Sequence, residues 1–183
     1  GYENVEGMDL NSNFLDIARE HAGALDNPPV FIQENMRKFK AIDAYDLIYS
    51  LFSSMFYFGH KKNIKILQRL YQALHRDGFC VIDYYNPAAF LKSGKSKDWF
   101  VTSDQHIVLD QFHHNPLSGA ITAERMIITP EGKRVKRIFN TRDYSASELC
   151  YHLEEIGFEI VNVFGSFEEE PFTIDSPRQI YVL

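Results

Sequence analysis

Apolar and polar residues follow two patterns along the chain, and together these patterns predict the order of its strands and helices. Short apolar runs at residues 30–32, 44–50 and 79–84 are typical of buried strands. Residues 61–75 place apolar side chains at helical spacing opposite lysines and an arginine, which predicts an amphipathic helix. Because helices alternate with buried strands, the pattern favours an α/β fold with a parallel sheet.

The N-terminal part of this pattern carries an acidic residue at a strand tip. Residues 5–9 are typical of the end of a buried strand, and Asn11 or Ser12 is suited to cap the helix that follows. Open α/β folds hold a ribose with an acidic residue at the carboxyl end of a parallel strand. Asp9 is therefore a candidate nucleoside ligand. The alternative is a carboxylate that only stabilises a helix start through the helix dipole.

Residues 95–142 interrupt the alternation of strands and helices. Turn chemistry at 115–119 and 130–132 separates apolar runs that predict an antiparallel meander. The three strand-like runs cover residues 105–113, 119–129 and 134–140. We therefore expect a core built from residues 1–94 and 143–183, with residues 95–142 inserted as a substrate cap.

The helix and strand pattern resumes after the meander. Ser145 and Glu148 form a predicted capping box before a helix that Gly157 ends. Strands are then predicted at residues 158–164 and 178–183. Because no helix fits between these two strands, they must pair antiparallel.

Composition and charge narrow the function classes. A chain of 183 residues is one domain by size, and a net charge of −6 argues against nucleic acid or an anionic membrane as a partner. No apolar run reaches the ~20 residues of a membrane span. No signal peptide is visible at the first residues, although the sequence does not look as if it begins at a natural start. Cys80 and Cys150 stand in apolar contexts that suit a reducing compartment. We therefore expect a cytoplasmic protein without a disulfide.

Six segments carry a family resemblance: VEGMDLN, FIQENMRKF, AYDLIYSLFSSMFYF, LYQALHRDGFCVIDYYNP, YSASELCYHLEEIGFEIVNVFG and DSPRQIYVL. In this order and spacing they resemble class I S-adenosylmethionine-dependent methyltransferases. The inserted meander is similar to that of small-molecule N-methyltransferases of the amino-sugar and glycine types. The resemblance implies a Rossmann-like sheet with an antiparallel terminal hairpin, S-adenosylmethionine as cofactor, and methyl transfer to a nitrogen or oxygen of a small molecule.

The resemblance also implies roles for residues at the strand ends. Asp9 would bind the ribose hydroxyls, and Asn35 would accept a hydrogen bond from the adenine amino group, unless it is only a turn residue. The remaining cofactor contacts implied are Met8 and Leu10 beside the adenine, Met36 through its backbone N–H, and Ser50, Leu51 and Phe52 at the methionine end.

Candidate acceptor residues lie after the strands and in the meander. Tyr57 and His113 are the candidate catalytic residues, although aromatic packing and a solvated turn explain them as well. Only one of His113 and His114 can face a pocket, because neighbouring strand residues point to opposite sides. The candidate substrate ligands are Tyr85, Asn86, Arg125 and Tyr144, and a cross-strand ion pair is an equal explanation for Arg125. No metal site is expected, since no further ligand stands near His113 and His114.

One part of the resembled family has no counterpart in the sequence. The family's glycine-rich loop lies about 20 residues before the acidic residue, but none of the 10 glycines here forms a Gly-x-Gly pair. We therefore expect either a longer parent protein or a partner chain or swapped segment that supplies the first strand. Direct pairing of the Asp9 and Ser50 strands would contradict this expectation.

Three other interpretations remain open at this point. A nicotinamide-dependent oxidoreductase also uses an acid after the second strand, but the terminal hairpin and the lack of a Tyr-x-x-x-Lys signature count against it. A non-catalytic methyltransferase-like scaffold or partner subunit would explain the missing glycine loop. The meander is also open to pairing with a second copy, which would give a homodimer through the inserted sheet.

Overall fold

The computed structural model describes residues 2–183 and has an α/β core with a four-stranded antiparallel sheet inserted into it. The strands are β1 (Glu6–Asp9), β2 (Val30–Gln33), β3 (Tyr45–Ser50), β4 (Leu74–Tyr85), β5 (Lys97–Val101), β6 (Ile107–Asn115), β7 (Ala120–Ile128), β8 (Arg134–Arg142), β9 (Asn162–Phe164) and β10 (Arg178–Val182). The helices are α1 (Ser12–Ala22), α2 (His60–Ala73), α3 (Pro87–Lys92) and α4 (Ala146–Ile156).

The core strands form two separate hydrogen-bonded groups. In the first, β1 pairs parallel with β2, and Asp9 lies opposite Gln33. In the second, β3 pairs parallel with β4, β4 antiparallel with β10, and β10 antiparallel with β9. Within residues 2–183, β1 and β3 do not pair with one another. The direct pairing that would contradict the expected missing strand is therefore not seen.

A side-chain contact links the two strand groups. The Tyr45 hydroxyl on β3 donates to a Glu6 carboxylate oxygen on β1 at 2.5 Å. This hydrogen bond, together with burial and the Glu6 charge, raises the pKa of Tyr45 to about 12. The contact therefore fixes β1 relative to β3 without a backbone ladder.

Helices α2 and α4 cover the second strand group and enclose the main hydrophobic core. The amphipathic helix predicted at residues 61–75 is present, but it ends at Ala73 because β4 begins at Leu74 with an irregular register against β3. The fully buried side chains include Leu67, Cys80, Ile82, Leu149 and Leu153. Both cysteines are unpaired, and burial raises the pKa of the Cys80 thiol to about 12.

The start of α4 forms one of the two hydrogen bonds of the predicted capping box. The Ser145 hydroxyl accepts a hydrogen bond from the Glu148 backbone N–H at 3.2 Å. The Glu148 carboxylate does not complete the box, because it accepts two hydrogen bonds from Arg142 instead. Gly157 ends the helix at φ 116°, a left-handed conformation that favours glycine.

The inserted sheet is an antiparallel meander in the order β5–β6–β7–β8. Its inner face carries Val108, Asp110, Ile121 and Ala123, all buried. Its outer face is largely exposed, with apolar side chains at Trp99, Leu109 and Ile138. Strand β5 is an addition to the three runs predicted from sequence, and the homodimer through this sheet stays a prediction.

Across the part of the chain that the structure describes, no helix combines the length and the hydropathy needed to cross a membrane.

Candidate functional site

The carboxyl ends of β1 and β2 present an exposed carboxylate beside exposed apolar side chains. Asp9 accepts a hydrogen bond from the Asn11 backbone N–H at 2.7 Å, and Asn11 in turn caps α1 by accepting from Asn13. Among residues 2–183, only this hydrogen bond reaches the Asp9 carboxylate. Met8 and Leu10 on either side are 39% and 64% exposed. A carboxylate oxygen of Asp9 and the exposed side chains of Met8 and Leu10 are therefore accessible to a ligand at this edge.

Asn35 and Met36 follow β2 at the same edge. The Asn35 side-chain oxygen accepts hydrogen bonds from the Arg37 backbone N–H at 3.0 Å and from Arg37 Nε at 3.1 Å. That oxygen is therefore engaged in a turn, and the side-chain NH₂ is the group left for a ligand. Met36 is half-buried against the main core.

The loop after β3 is held in an uncommon backbone conformation by a buried ion pair. Phe52 and Ser53 have φ values of 55° and 58°, in the left-handed region that non-glycine residues rarely adopt. The Phe52 backbone N–H donates to Asp83 Oδ2 at 2.5 Å, and Ser53 Oγ accepts from the Tyr85 backbone N–H at 3.0 Å. These bonds fix Ser50, Leu51 and Phe52 at the end of the sheet.

Arg178 completes this support from β10. Its guanidinium donates to both oxygens of Asp83, with Nη2 2.8 Å from Oδ2, and Asp83 is only 1% exposed. The Phe52 ring itself is 75% exposed and lies against Phe167, with ring centroids 5.7 Å apart. Asp83 and Arg178 were not identified from sequence, because the register that brings them together joins distant segments.

A second buried carboxylate lies where the meander rejoins the core. Asp143 is 6% exposed, and its Oδ1 accepts hydrogen bonds from Tyr84 at 3.1 Å and from Tyr85. Its Oδ2 is buried and has no hydrogen-bond partner in residues 2–183. Burial raises the pKa of the Asp143 carboxyl, against the opposing effect of the two tyrosine hydrogen bonds. The Asp143 carboxyl therefore holds its proton more tightly than an exposed carboxyl does.

Arg125 lies on the inner face of the meander and is tied to Asp110 on the neighbouring strand. Its Nε and Nη2 each lie 2.7 Å from one oxygen of Asp110, in a two-point ion pair. The hydrogen bond to Asp110 is the main cause that raises the pKa of Arg125, and the nearby Tyr57 adds to it. The cross-strand ion pair is thus present, and it places Arg125 near Tyr57.

Three residues that were predicted to contact the methyl acceptor lie on the outer face of the meander or are buried. His113 lies on the outer face of the meander, 3.8 Å from Glu124, and His114 is the half-buried residue of the inner face. Asn86 is 3% exposed and donates to backbone oxygens of Ile174 and Ser176. Tyr144 is fully buried in the main core. The inner-face histidine is therefore His114, and packing explains Asn86 and Tyr144.

Fold and site together define an α/β protein with an exposed carboxylate at one strand edge and an inserted antiparallel sheet. Residues 1–78 match the family described as a methyltransferase domain. A protein of Geobacillus sp. (strain WCH70) that is named as a methyltransferase is 23% identical over 185 residues, covering 97% of this chain and 74% of the relative.

Solved structures share the fold over nearly the whole chain. The CcbJ methyltransferase from Streptomyces caelestis is 22% identical with a TM-score of 0.84, and the match covers 98% of this chain and 73% of that one. An S-adenosylmethionine-bound amino pentose methyltransferase from Micromonospora echinaspora is 15% identical with a TM-score of 0.66, covering 98% and 72%. Residues 1–78 thus match a methyltransferase domain, and the fold over nearly the whole chain is consistent with a class I S-adenosylmethionine-dependent methyltransferase.

Proposed function

We propose that the protein transfers the methyl group of S-adenosylmethionine to a nitrogen or oxygen of a small molecule. The observation that carries this proposal is the arrangement at the carboxyl end of β4. There Tyr85 joins the loop after β3 to Asp143, and its ring packs against Phe90, which contacts Phe112 on the inner face of the meander. Substrates of open α/β folds bind at this edge of the sheet. The amino pentose named for one structural neighbour is consistent with a small acceptor.

The cofactor residues proposed from sequence fit this arrangement, with one change. Asp9 would accept hydrogen bonds from the ribose hydroxyls, with Met8 and Leu10 against the adenine. Asn35 would donate through its NH₂ to a ring nitrogen of the adenine, and would not accept from the adenine amino group, because Arg37 already occupies the Asn35 oxygen. The remaining contacts proposed are Met36 at the adenine and Ser50, Leu51 and Phe52 at the methionine end.

When bound, S-adenosylmethionine would supply an electrophilic methyl group that passes to a nucleophilic nitrogen or oxygen of the acceptor, with S-adenosylhomocysteine as the leaving group. The protein then has to position the acceptor and take a proton when the acceptor arrives protonated. The two tyrosine hydrogen bonds orient Asp143, and its raised pKa suits it to receive that proton. Tyr57, Arg125 and His114 would line the side of the acceptor that faces the meander.

Transfer of a radiolabelled methyl group to a panel of small amines and alcohols tests this proposal. We expect labelled product with at least one member, and a lower kcat in His114→Ala than in wild type. His113→Ala is the matched control, since it removes the neighbouring imidazole from the outer face, and it should leave kcat unchanged. A protein that transfers no label and shows no saturable S-adenosylhomocysteine binding would favour the non-catalytic scaffold.

A further inference from the structure

Two histidines and a glutamate from separate segments meet where α2 begins. His60 is the first residue of α2, whereas Glu148 and His152 lie one turn apart on the same face of α4. One potential ligand atom from each residue lies within 4.8 Å of the other two. The two imidazole rings are 4.7 Å apart between centroids. Because the residues come from distant helices, their sequence spacing gives no sign of this cluster.

The surroundings of His60 suit a neutral imidazole with one nitrogen available as a ligand. Its Nδ1 lies 3.2 Å from the Tyr144 hydroxyl, which also accepts a hydrogen bond from Asn63 at 3.3 Å. With Nδ1–H donating to Tyr144, the lone pair of Nε2 is available to a ligand.

Glu148 supplies the carboxylate of the cluster and is oriented by Arg142. Arg142 Nη2 lies 2.6 Å from Glu148 Oε1, and His152 Nε2 lies 3.9 Å from the same oxygen. The Arg142 guanidinium also stacks over the Tyr144 ring, 4.4 Å from its centroid. Arg142 thus fixes the carboxylate as an outer-shell partner, while its positive charge weakens the attraction for a cation.

We propose that His60, Glu148 and His152 bind one divalent transition-metal ion of the Zn²⁺ type, with water as a fourth ligand. Two imidazoles and one carboxylate suit Zn²⁺, whereas Mg²⁺ and Ca²⁺ prefer all-oxygen sites. Tetrahedral bonds of about 2.0–2.1 Å place ligand atoms about 3.3 Å apart, so the cluster has to contract. The side chains of Glu148 and His152 are 33% and 21% exposed, which leaves them room to move. The ion would cross-link the start of α2 to α4.

Titration of the chelator-treated protein with Zn²⁺ alone tests this proposal. We expect binding of one ion per chain by calorimetry and a rise in Tm that Mg²⁺ at the same concentration does not produce. His60→Ala and His152→Ala should each weaken Zn²⁺ binding at least tenfold. His75→Ala is the control, because His75 is an exposed histidine paired with Asp43 elsewhere, and it should bind Zn²⁺ as wild type does.

Two results would overturn the proposal. One is the absence of saturable Zn²⁺ binding, and the other is equal binding by wild type, His60→Ala and His152→Ala when circular dichroism shows that all are folded. Co²⁺ gives a second measurement on the wild-type protein and does not depend on the variants. We expect a visible spectrum of nitrogen and oxygen ligation, whereas an intense thiolate band would move the ion to a cysteine and contradict the assignment.

Discussion

Replacing Asp83 by Ala tests whether the buried ion pair holds the loop after β3. The change removes the acceptor of the Phe52 backbone N–H and the carboxylate that pairs with the Arg178 guanidinium. Asp83 is 1% exposed, and the Arg178 side chain is 23% exposed. The variant therefore leaves the Phe52 backbone N–H without its acceptor and a largely buried positive charge without its counter-charge, with only Ser53 Oγ, 3.3 Å from Arg178 Nη2, as a neutral partner.

The expected loss follows from this geometry. Removing one member of a buried pair destabilises a protein by about 3–5 kcal/mol, because the other charge stays buried without compensation. This is a large share of the ~5–15 kcal/mol that stabilises a typical domain. Replacing both residues, as Asp83→Ala with Arg178→Met, removes the stranded charge and should lose clearly less than the single variant.

Urea unfolding followed by circular dichroism measures these differences, with Asp175→Ala as the matched control. Asp175 forms an ion pair with Lys92 at 2.5 Å, but the two side chains are 63% and 64% exposed, so its loss should change stability by only about 0–1 kcal/mol. The reasoning is refuted by a single variant as stable as the control, or by a double variant that is no more stable than the single one.

Two further predictions concern a carboxyl group and a glycine. The raised pKa of Asp143 means that the folded state holds its proton more tightly, so the Asp143 contribution to stability falls as pH rises from about 4 through the folded pKa. Asp143→Asn, which still faces Tyr84, Tyr85, His114 and Arg142, should therefore gain stability relative to wild type over that window. Urea unfolding of both proteins at several pH values measures the difference, and a difference that does not change with pH would contradict the prediction. Gly157→Ala should lose about 1 kcal/mol or more, because its φ is 116° and its Cβ would lie 2.8 Å from the Tyr71 hydroxyl; Gly94→Ala, with φ 64° and no atom within 4 Å of its Cβ, should lose less by the same assay.

The elements that local pattern predicts are those with a strong period or an unambiguous turn. Apolar spacing predicted α2, and turn residues such as Asn115 predicted the hairpins of the meander. Strand β5 was missed because all five of its residues are exposed, so no burial period marks it. The predicted strand at residues 158–164 is shorter in the structure, where only Asn162–Phe164 pair with β10.

The candidate site was predictable only where a single strand end defines it. Asp9 could be identified from its place at the end of β1, because the motif is local. Asp83 and Asp143 are buried carboxylates whose partners come from other segments, so their roles depend on register and on chain crossings that no local pattern contains. The choice between His113 and His114 likewise required knowledge of which β6 side chains lie on the inner face of the meander.

Isothermal titration calorimetry with S-adenosylhomocysteine tests the central claim most directly. We predict one saturable site in the wild-type protein, with affinity about tenfold or more weaker in Asp9→Ala, because hydrogen bonds to a charged group contribute about 1.5–3 kcal/mol. Asp16→Ala, an exposed carboxylate on α1 that pairs with Arg19, is the matched control and should bind as wild type does. Absence of saturable binding, or equal affinity in wild type and Asp9→Ala, would contradict a cofactor site built around Asp9.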